Sequence, residues 1–412
     1  MDRISGLSDE LLLKILMLVP TKVAASISIL SKRWEYLWMW LPKLDYDHRD
    51  CSKPESKRLQ CFLDHNLPLH RAPVIESFRL ELDSSRFKPE CIKMWVAIAV
   101  SHCLRKLEIR YESKSNILPS NMYICKSLVV LKLGGDILLD VPRMVSLPSL
   151  KTMKLQSVRF FNEETLQRLL SSCPILEDLV VDLREDDTTR KLTVAVPSLQ
   201  SLSLYIPKSH EIDGYVIVTP AVKYFKLVDD NYKSHYCLIE HMPNLIEAHL
   251  DVSLPDIKSL IGSITSVKRL SICSAAMFDE GFVFNQLEHL ELCICKDHSS
   301  NQLFRLLKSS LILQELNLYS MEDHFPQYMD YWNEPSTVPE CLLSTLQNFS
   351  WSFSLYSGEP PDRDIVIYIL EHAVHLKTAT ISSYECEVPK FEMLQELALS
   401  SRASTACKLM FE

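Results

Sequence analysis

The chain has 412 residues, of which 47% are hydrophobic and 24% charged, and its formal net charge is −9. This length exceeds what one compact core usually supports, so we expect two or more domains or a repeat array. An acidic balance argues against nucleic-acid binding, which depends on basic side chains that neutralise phosphates. With only 7 glycines, the sequence offers little for a phosphate-binding loop.

The sequence shows neither a membrane-spanning nor a secretory segment. The most apolar early stretch, residues 11–30, is interrupted by Lys14, Pro20 and Lys22, whereas a spanning helix needs about 20 largely apolar residues. The 13 cysteines are odd in number, scattered and mostly set among apolar neighbours. This usage is typical of reduced thiols, so we expect a location in the cytoplasm, the nucleus or both.

The first 45 or so residues predict three short helices. Ser8 is suited to cap the first, Thr21 the second and Ser31 the third, and Pro20 and Pro42 end the first and the third. The first helix is apolar on nearly every side, which requires burial on more than one side. So short a segment cannot provide that burial alone, so it packs on the rest of the chain or docks on another protein.

The run LSDELLLKIL…VPTKVAA…SILSKRWEYLW…PKLDYD resembles the F-box of plant F-box proteins, with Ser8 where that family usually has proline. The resemblance implies that this segment binds a Skp1-type adaptor and, through it, a cullin scaffold. The residues assigned to the adaptor contact are Leu7, Leu11, Leu12, Ile15, Leu16, Val19, Pro20, Val23, Leu30, Ser31, Trp34, Leu37 and Trp38.

From about residue 75 onward, apolar residues recur in the spacing L-x-x-L-x-L, mostly every 20 to 26 residues or so, the period of leucine-rich repeats. Each repeat supplies one short strand, and stacking buries the strands' apolar sides. Helical returns are predicted to open near Asn162, Ser300 and Asp362, with Asp362 as the candidate cap of its helix, and residues 394–399 are interpreted as a terminal helix. The predicted fold class is α/β, with a three-helix F-box followed by a leucine-rich-repeat solenoid of parallel strands and helical or irregular returns.

The last part of the chain contains NFSWSFSLYSGEPPDRDIVIYILEHAVHLKTATIS and is similar to the FBD segment found behind plant F-box and leucine-rich-repeat regions. The resemblance implies no chemistry for this segment. We therefore predict an F-box at residues 1–47, a connection at 48–74, the repeats at 75–337, and the FBD segment with the final repeats and a C-terminal cap at 338–412.

Residues that alternate with the buried strand positions line one broad face, which solenoids commonly use for binding. Its early repeats are basic and its later ones acidic, which would favour a partner of matching polarity. The candidate target-binding residues are Lys106, Arg110, Lys132, Lys154, Asp178, Asp182, Tyr205, Tyr224, Glu247, His249, Asp251, Glu291, Glu315 and Tyr319. For any one of them, an ordinary solvated strand position is an equally good interpretation.

Signals for chemistry are weak. Cys293 and Cys295 form a C-x-C with His289 and His298 nearby, but we expect side chains that alternate along a strand to point to opposite faces, which argues against a shared metal. No nucleotide-binding loop, nucleophile elbow or paired C-x-x-C occurs. We predict no catalytic residue, no metal and no cofactor.

The sequence thus favours a non-catalytic substrate-recognition adaptor of an SCF-type ubiquitin ligase, with an unknown target protein and no nucleic-acid or membrane partner. One alternative is a repeat scaffold without a ubiquitin link, its N-terminal helices only capping the array. A second is an enzyme that carries ubiquitin on one of its cysteines.

Overall fold

The fold is that of a computed structural model, which describes residues 7–27, 33–48, 52–231, 233–274, 281–295, 299–321, 324, 332, 334–352, 356–383 and 388–412. For residues 35, 48 and 299 it describes only the backbone. The chain divides into two compact units, a first of Met1–Leu199 with His210–Ile212 and a second of Gln200–Ser209 with Asp213–Glu412. None of the helices in these described ranges has the length and apolarity that crossing a bilayer requires.

The first unit begins with two short α-helices and a 3-10 helix: α1 (Asp9–Leu16), α2 (Thr21–Ser26) and Trp34–Trp40. Ser8 is the N-cap residue of α1, as predicted, although its side chain makes no cap hydrogen bond. The prediction for Thr21 is wrong: Pro20 is the N-cap residue of α2, and the Thr21 hydroxyl accepts a hydrogen bond from the backbone N–H of Asp45 at 2.9 Å. Ser31 lies outside the described residues.

Parallel strands and their returns form the rest of the first unit. The return helices are α3 (Lys53–Asn66), α4 (Pro89–Ser101) and α5 (Glu164–Ser171), with 3-10 turns at Leu67–Leu69 and Ser120–Ile124. The strands are β1 (Lys43–His48), β2 (Ser77–Leu82), β3 (Lys106–Tyr111), β4 (Val130–Gly134), β5 (Leu138–Leu139), β6 (Thr152–Gln156), β7 (Arg159–Phe160), β8 (Asp178–Asp182) and β9 (Lys191–Ala195).

The main sheet of this unit runs in the order β1-β2-β3-β4-β6-β8, and every neighbouring pair is parallel. Its interior positions stack in direct register. The row formed by Phe78, Leu107, Leu131, Met153 and Leu179 is 0% exposed throughout. Each predicted L-x-x-L-x-L unit in this region therefore contributes its strand, and the stack buries what no single repeat could.

The sheet starts earlier than the sequence analysis predicted. All but the last residue of β1 lies inside the segment assigned to the F-box, and β1 pairs with β2 over six residues, from Lys43 opposite Ser77 onward. Its alternating Leu44 and Tyr46 are 1% and 3% exposed. The three N-terminal helices are thus continuous with the first repeats, because the strand that follows them is an edge strand of the same sheet.

The second unit repeats this arrangement. Its main strands are β10 (Ser201–Ile206), β12 (Tyr224–Asp229), β14 (Glu247–Val252), β15 (Arg269–Ser274), β16 (His289–Cys293), β17 (Glu315–Tyr319), β18 (Asn348–Trp351), β19 (Thr378–Ile381) and β20 (Lys408–Phe411), paired in that order and all parallel. The remaining elements are β11 (Gly214–Val218), β13 (Tyr236–Ile239), α6 (Lys258–Ser263), α7 (Ser299–Ser309), α8 (Glu340–Ser344), α9 (Pro360–His372) and α10 (Lys390–Leu399).

Two predictions about the C-terminal region have different outcomes. The terminal helix predicted at residues 394–399 is confirmed as the end of α10. Asp362 does not cap α9, whose N-cap residue is Glu359. Instead, the buried Asp362 carboxylate accepts hydrogen bonds from the backbone N–H and the hydroxyl of Ser357, at 3.1 and 2.5 Å. This contact fixes the loop that enters α9.

Candidate partner-binding surfaces

An apolar patch remains exposed on the N-terminal helices. Leu11, Ile15 and Leu18 follow one another at i, i+4 and i+7 along α1 and its end, which places them on one face. Their side chains are 46%, 41% and 84% exposed, and Val23 at the start of α2 is 43% exposed. We call these four residues the N-terminal apolar patch. Leu18 was not among the predicted contact residues, although its helical spacing from Leu11 could have identified it.

The other side of the same helices is buried within the chain. Five predicted adaptor-contact residues lie there, each with 8% or less of its surface exposed: Leu12, Leu16, Trp34, Leu37 and Trp38. The Trp38 ring packs against Phe62 of α3, with 5.2 Å between ring centroids. In this conformation these residues support the helices and offer no surface to a partner, which corrects their assignment as direct contacts.

The remaining predicted adaptor contacts belong neither to the exposed patch nor to the buried set. Leu7 and Val19 are half-buried, Pro20 is exposed, and Leu30 and Ser31 lie outside the described residues. Polar contacts fix the start of α1, because the Arg33 guanidinium donates to the Asp9 carboxylate at 2.7 Å and to the backbone carbonyl of Leu7 at 2.5 Å.

The helices are also tied to the segment that leads into β2. The backbone carbonyl of Met39 accepts hydrogen bonds from the N–H groups of Arg71 and Ala72, at 2.8 and 3.2 Å. His70, beside them, is 5% exposed, and burial together with the neighbouring His102 lowers its pKa to about 4. A patch presented by these helices is therefore held on a folded support.

The strand face of the first unit is less basic than its lysines suggest. Glu108 lies among Lys106, Arg79 and Lys132, with its carboxylate 2.9, 3.4 and 3.8 Å from their nitrogens. Burial acts to raise the pKa of Glu108, but the hydrogen bond from Lys106 and the surrounding cations outweigh it, so the pKa is lowered. The Glu108 carboxylate therefore offsets part of the positive charge that the sequence predicts here.

The other predicted residues of this face are accessible to different degrees. Arg110 is exposed, while Lys154, Asp178 and Asp182 are half-buried. Asp178 accepts a hydrogen bond from the Thr152 hydroxyl at 3.2 Å, and burial raises the pKa of Asp182.

The strand face of the second unit contains a groove of about 580 Å³. Direct register places its polar side chains in two rows across the strands. The first row runs from Glu247 through Arg269, His289 and Glu315 to Asn348, and the second holds His249, Ser271, Glu291, Asn317 and Ser350. The register therefore brings together four predicted target-binding residues: Glu247, His249, Glu291 and Glu315.

Most charged groups in this groove have partners within it. Glu247 contacts His249 at 2.8 Å and Arg269 at 3.5 Å, and Glu315 contacts His289 at 2.8 Å. The half-buried Glu291 is different, because it makes no hydrogen bond or ion pair with any residue that the structure describes. The groove thus presents a carboxylate that a positively charged group could complement.

The last four predicted target-binding residues lie outside the groove lining. Tyr205 is 37% exposed, and the half-buried Tyr224 packs on the ring of His249 at 5.6 Å between centroids. The Tyr319 hydroxyl pairs with that of Ser271 at 2.5 Å, and Asp251 pairs with His324 at 3.0 Å. Asp251 and Tyr319 are thereby engaged within the unit.

The prediction about the C-x-C pair is wrong. Residues two apart on a strand share a face, since side chains alternate with a period of two. Cys293 and Cys295 accordingly lie together, and their sulfurs are grouped with those of Cys273 and with an imidazole nitrogen of His324, all within 4.8 Å of one another. His289 is turned to Glu315 instead, and His298 lies outside the described residues.

Comparisons with known proteins agree with this architecture. The F-box domain model matches residues 4–46, the model for the leucine-rich repeats of the FBD-associated F-box protein At5g56370 matches 92–245, and the FBD model matches 334–381. The FBD-associated F-box protein At4g10400 of Arabidopsis thaliana is 59% identical over 100% of both chains.

Two further Arabidopsis thaliana relatives show the same relationship. The FBD-associated F-box protein At5g38590 is 53% identical, over 96% of this chain and 98% of its own. The putative F-box/FBD/LRR-repeat protein At5g62970 is 43% identical over 100% of both. An F-box, leucine-rich repeats and an FBD segment therefore define the class of protein. The chain belongs to the plant family of FBD-associated F-box proteins.

Proposed function

We propose that this protein is the substrate-recognition adaptor of an SCF-type ubiquitin ligase, without catalysis of its own. The observation that supports this most directly is the N-terminal apolar patch, within the segment that the F-box model matches. Burying Leu11, Ile15, Leu18 and Val23 against a Skp1-type adaptor would remove apolar surface from water, which favours association. The adaptor in turn would connect the chain to a cullin scaffold.

The function would then be positional. One partner surface holds the ligase and another holds the target, which raises the effective concentration of the target near a charged conjugating enzyme. The groove on the strand face of the second unit is the best candidate for the target surface. Its half-buried Glu291 favours a target segment that carries lysine or arginine. Such a ligase would operate in the cytoplasm, the nucleus or both.

One observation favours the scaffold alternative. Trp34, Trp38 and Leu12 are buried against the chain itself, and β1 joins the N-terminal helices to the first sheet. Helices that only cap the array would show this burial too. The alternatives differ in the exposed residues, because a cap has no need for an apolar side chain such as Leu18 facing water.

The test compares the tagged full-length chain with Ile15→Asp and with Ile175→Asp, a matched control whose isoleucine is 42% exposed, against 41% for Ile15. We expect the wild type and the control to co-purify with a co-expressed Skp1-type adaptor and Ile15→Asp to lose it, with unchanged circular dichroism. Retention of the adaptor by Ile15→Asp would contradict the proposal.

A third variant separates the two surfaces. Glu291→Lys reverses the charge of the groove, so we expect it to keep the adaptor and to lose proteins that accumulate with the wild type when the proteasome is inhibited. Ile15→Asp should show the opposite pattern. Loss of both partners in either variant would mean that the two surfaces are not independent.

A further inference from the structure

Three cysteines and a histidine meet on the strand face of the second unit. The Nδ1 atom of His324 lies 3.0 Å from the sulfur of Cys295 and 3.6 Å from those of Cys273 and Cys293. The sulfurs of Cys273 and Cys295 are 3.3 Å apart. All three cysteines are buried, with at most 8% of their surface exposed, and the His324 side chain is 16% exposed.

The repeat architecture brings these residues together. β15 and β16 pair in register up to Ile272 opposite Leu292, so the next residues, Cys273 and Cys293, are neighbours on the same face. Cys295 lies two residues past the end of β16 and packs in the same buried cluster as Cys273 and Cys293. His324 comes from the segment after β17, 51 residues beyond Cys273.

The distances agree to within about half an ångström with the edges of a tetrahedral zinc site. Zinc–sulfur bonds of about 2.3 Å and zinc–nitrogen bonds of about 2.0 Å imply sulfur–sulfur separations of about 3.8 Å and sulfur–nitrogen separations of about 3.5 Å. The two separations of 3.6 Å from His324 agree with this, and the other two measured separations, 3.0 and 3.3 Å, are shorter by about half an ångström. Three thiolates and one imidazole are a standard ligand set for structural zinc.

The groups around the cluster also fit a metal site. The Nε2 atom of His324 lies 3.0 Å from the carboxylate of Asp251, which would fix the ring with Nδ1 facing the sulfurs. Metal-binding histidines usually donate their second N–H to a carboxylate in this way. The side chain of Met321 packs on the three cysteines.

Other buried cysteines of the chain have different surroundings. The thiols of Cys173 and Cys341 each donate to a single backbone carbonyl at 3.3 Å, those of Leu169 and Leu307. These contacts are what isolated core thiols make. At the cluster, in contrast, three sulfurs face one another and a nitrogen that Asp251 orients.

We propose that Cys273, Cys293, Cys295 and His324 bind one zinc ion, with Asp251 as the positioning residue for the histidine. Four protein ligands fill a tetrahedral site, so the ion has a structural role and leaves no open position for catalysis. It would fasten the segment after β17 to the strand face, next to the proposed target groove. The proposal does not depend on the link to ubiquitin.

The first test measures zinc in the full-length chain, purified without chelator, by plasma mass spectrometry. We expect about one zinc per chain, a loss of at least fivefold in Cys295→Ser, and full content in the control Cys341→Ser. Asp251→Asn should bind zinc about 10- to 100-fold more weakly in a chelator competition. Equal zinc in the wild type and Cys295→Ser would overturn the proposal.

A second measurement covers the case in which Cys295→Ser fails to fold. Cobalt(II) added to metal-depleted wild type should give the intense thiolate-to-cobalt charge-transfer band and the visible bands of a tetrahedral site, and zinc should abolish them. Absence of these bands overturns the proposal. A disulfide between Cys273 and Cys295, found by mass spectrometry in protein purified under reducing conditions, would overturn it as well.

Discussion

Leu18 is the most exposed residue of the N-terminal apolar patch, at 84%. Replacing it with alanine removes three carbons, each of which contributes about 0.8 kcal/mol when buried. If the adaptor covers the exposed part of the Leu18 side chain, Leu18→Ala loses about 2 kcal/mol of binding free energy, which raises the dissociation constant about 30-fold. The measurement is isothermal titration calorimetry of the full-length chain with a purified Skp1-type adaptor.

The control for this experiment is Leu399→Ala, because Leu399 is 78% exposed and lies at the end of α10, in the second unit. It should bind the adaptor like the wild type. Neither variant should change the melting temperature measurably, since both side chains already face water. An affinity of Leu18→Ala within twofold of the wild type would refute the assignment of the patch to the adaptor.

Two further predictions concern stability. Burial lowers the pKa of His70 to about 4, so in the folded chain this imidazole stays neutral at pH values where the unfolded chain, with the ordinary pKa of 6.5, binds a proton. The free energy of unfolding therefore falls as the pH drops from 6.5 towards 4, by about 2 kcal/mol at pH 5. Urea unfolding at pH 7 and pH 5 should show this loss in the wild type and not in His70→Leu. Gly135 has φ +89°, and a Cβ there would lie 2.7 Å from the carbonyl oxygen of Tyr111, so Gly135→Ala should lower the free energy of unfolding by more than about 1 kcal/mol. The control is Gly262→Ala in α6, where the nearest atom to an added Cβ would be 3.4 Å away, so this change should be neutral or stabilising. Equal destabilisation of the two glycine variants would contradict the reasoning.

The repeat strands were predictable because their signal is local. An L-x-x-L-x-L unit fixes which side chains face inward, and the stack buries them whatever the returns do. The L-x-x-L-x-L pattern predicts one strand for each repeat, however, so it does not predict β9, β11 and β13, which lie in the returns. β1 was missed for a related reason: its residues had been assigned to a helical module on the strength of the preceding helices.

The candidate surfaces were harder to predict, because they depend on which partner each side chain finds. Leu11 and Leu12 are adjacent in an apolar helix, and periodicity alone cannot decide that folding buries the second and leaves the first in water. The cysteine–histidine cluster shows the same limit at longer range. The C-x-C was visible in the sequence, but Cys273 and His324 join it only through the stacking of repeats.

Direct register has a consequence for how such proteins diversify. Glu291 lies between Leu290 and Leu292 in sequence, yet its side chain is on the opposite side of the sheet from those two interior residues, which are 1% and 0% exposed. If this face binds the target as we propose, a change of charge or shape at such a position would alter what the chain recognises and leave the leucine interior intact. New specificities would then arise one substitution at a time, without an intermediate that fails to fold.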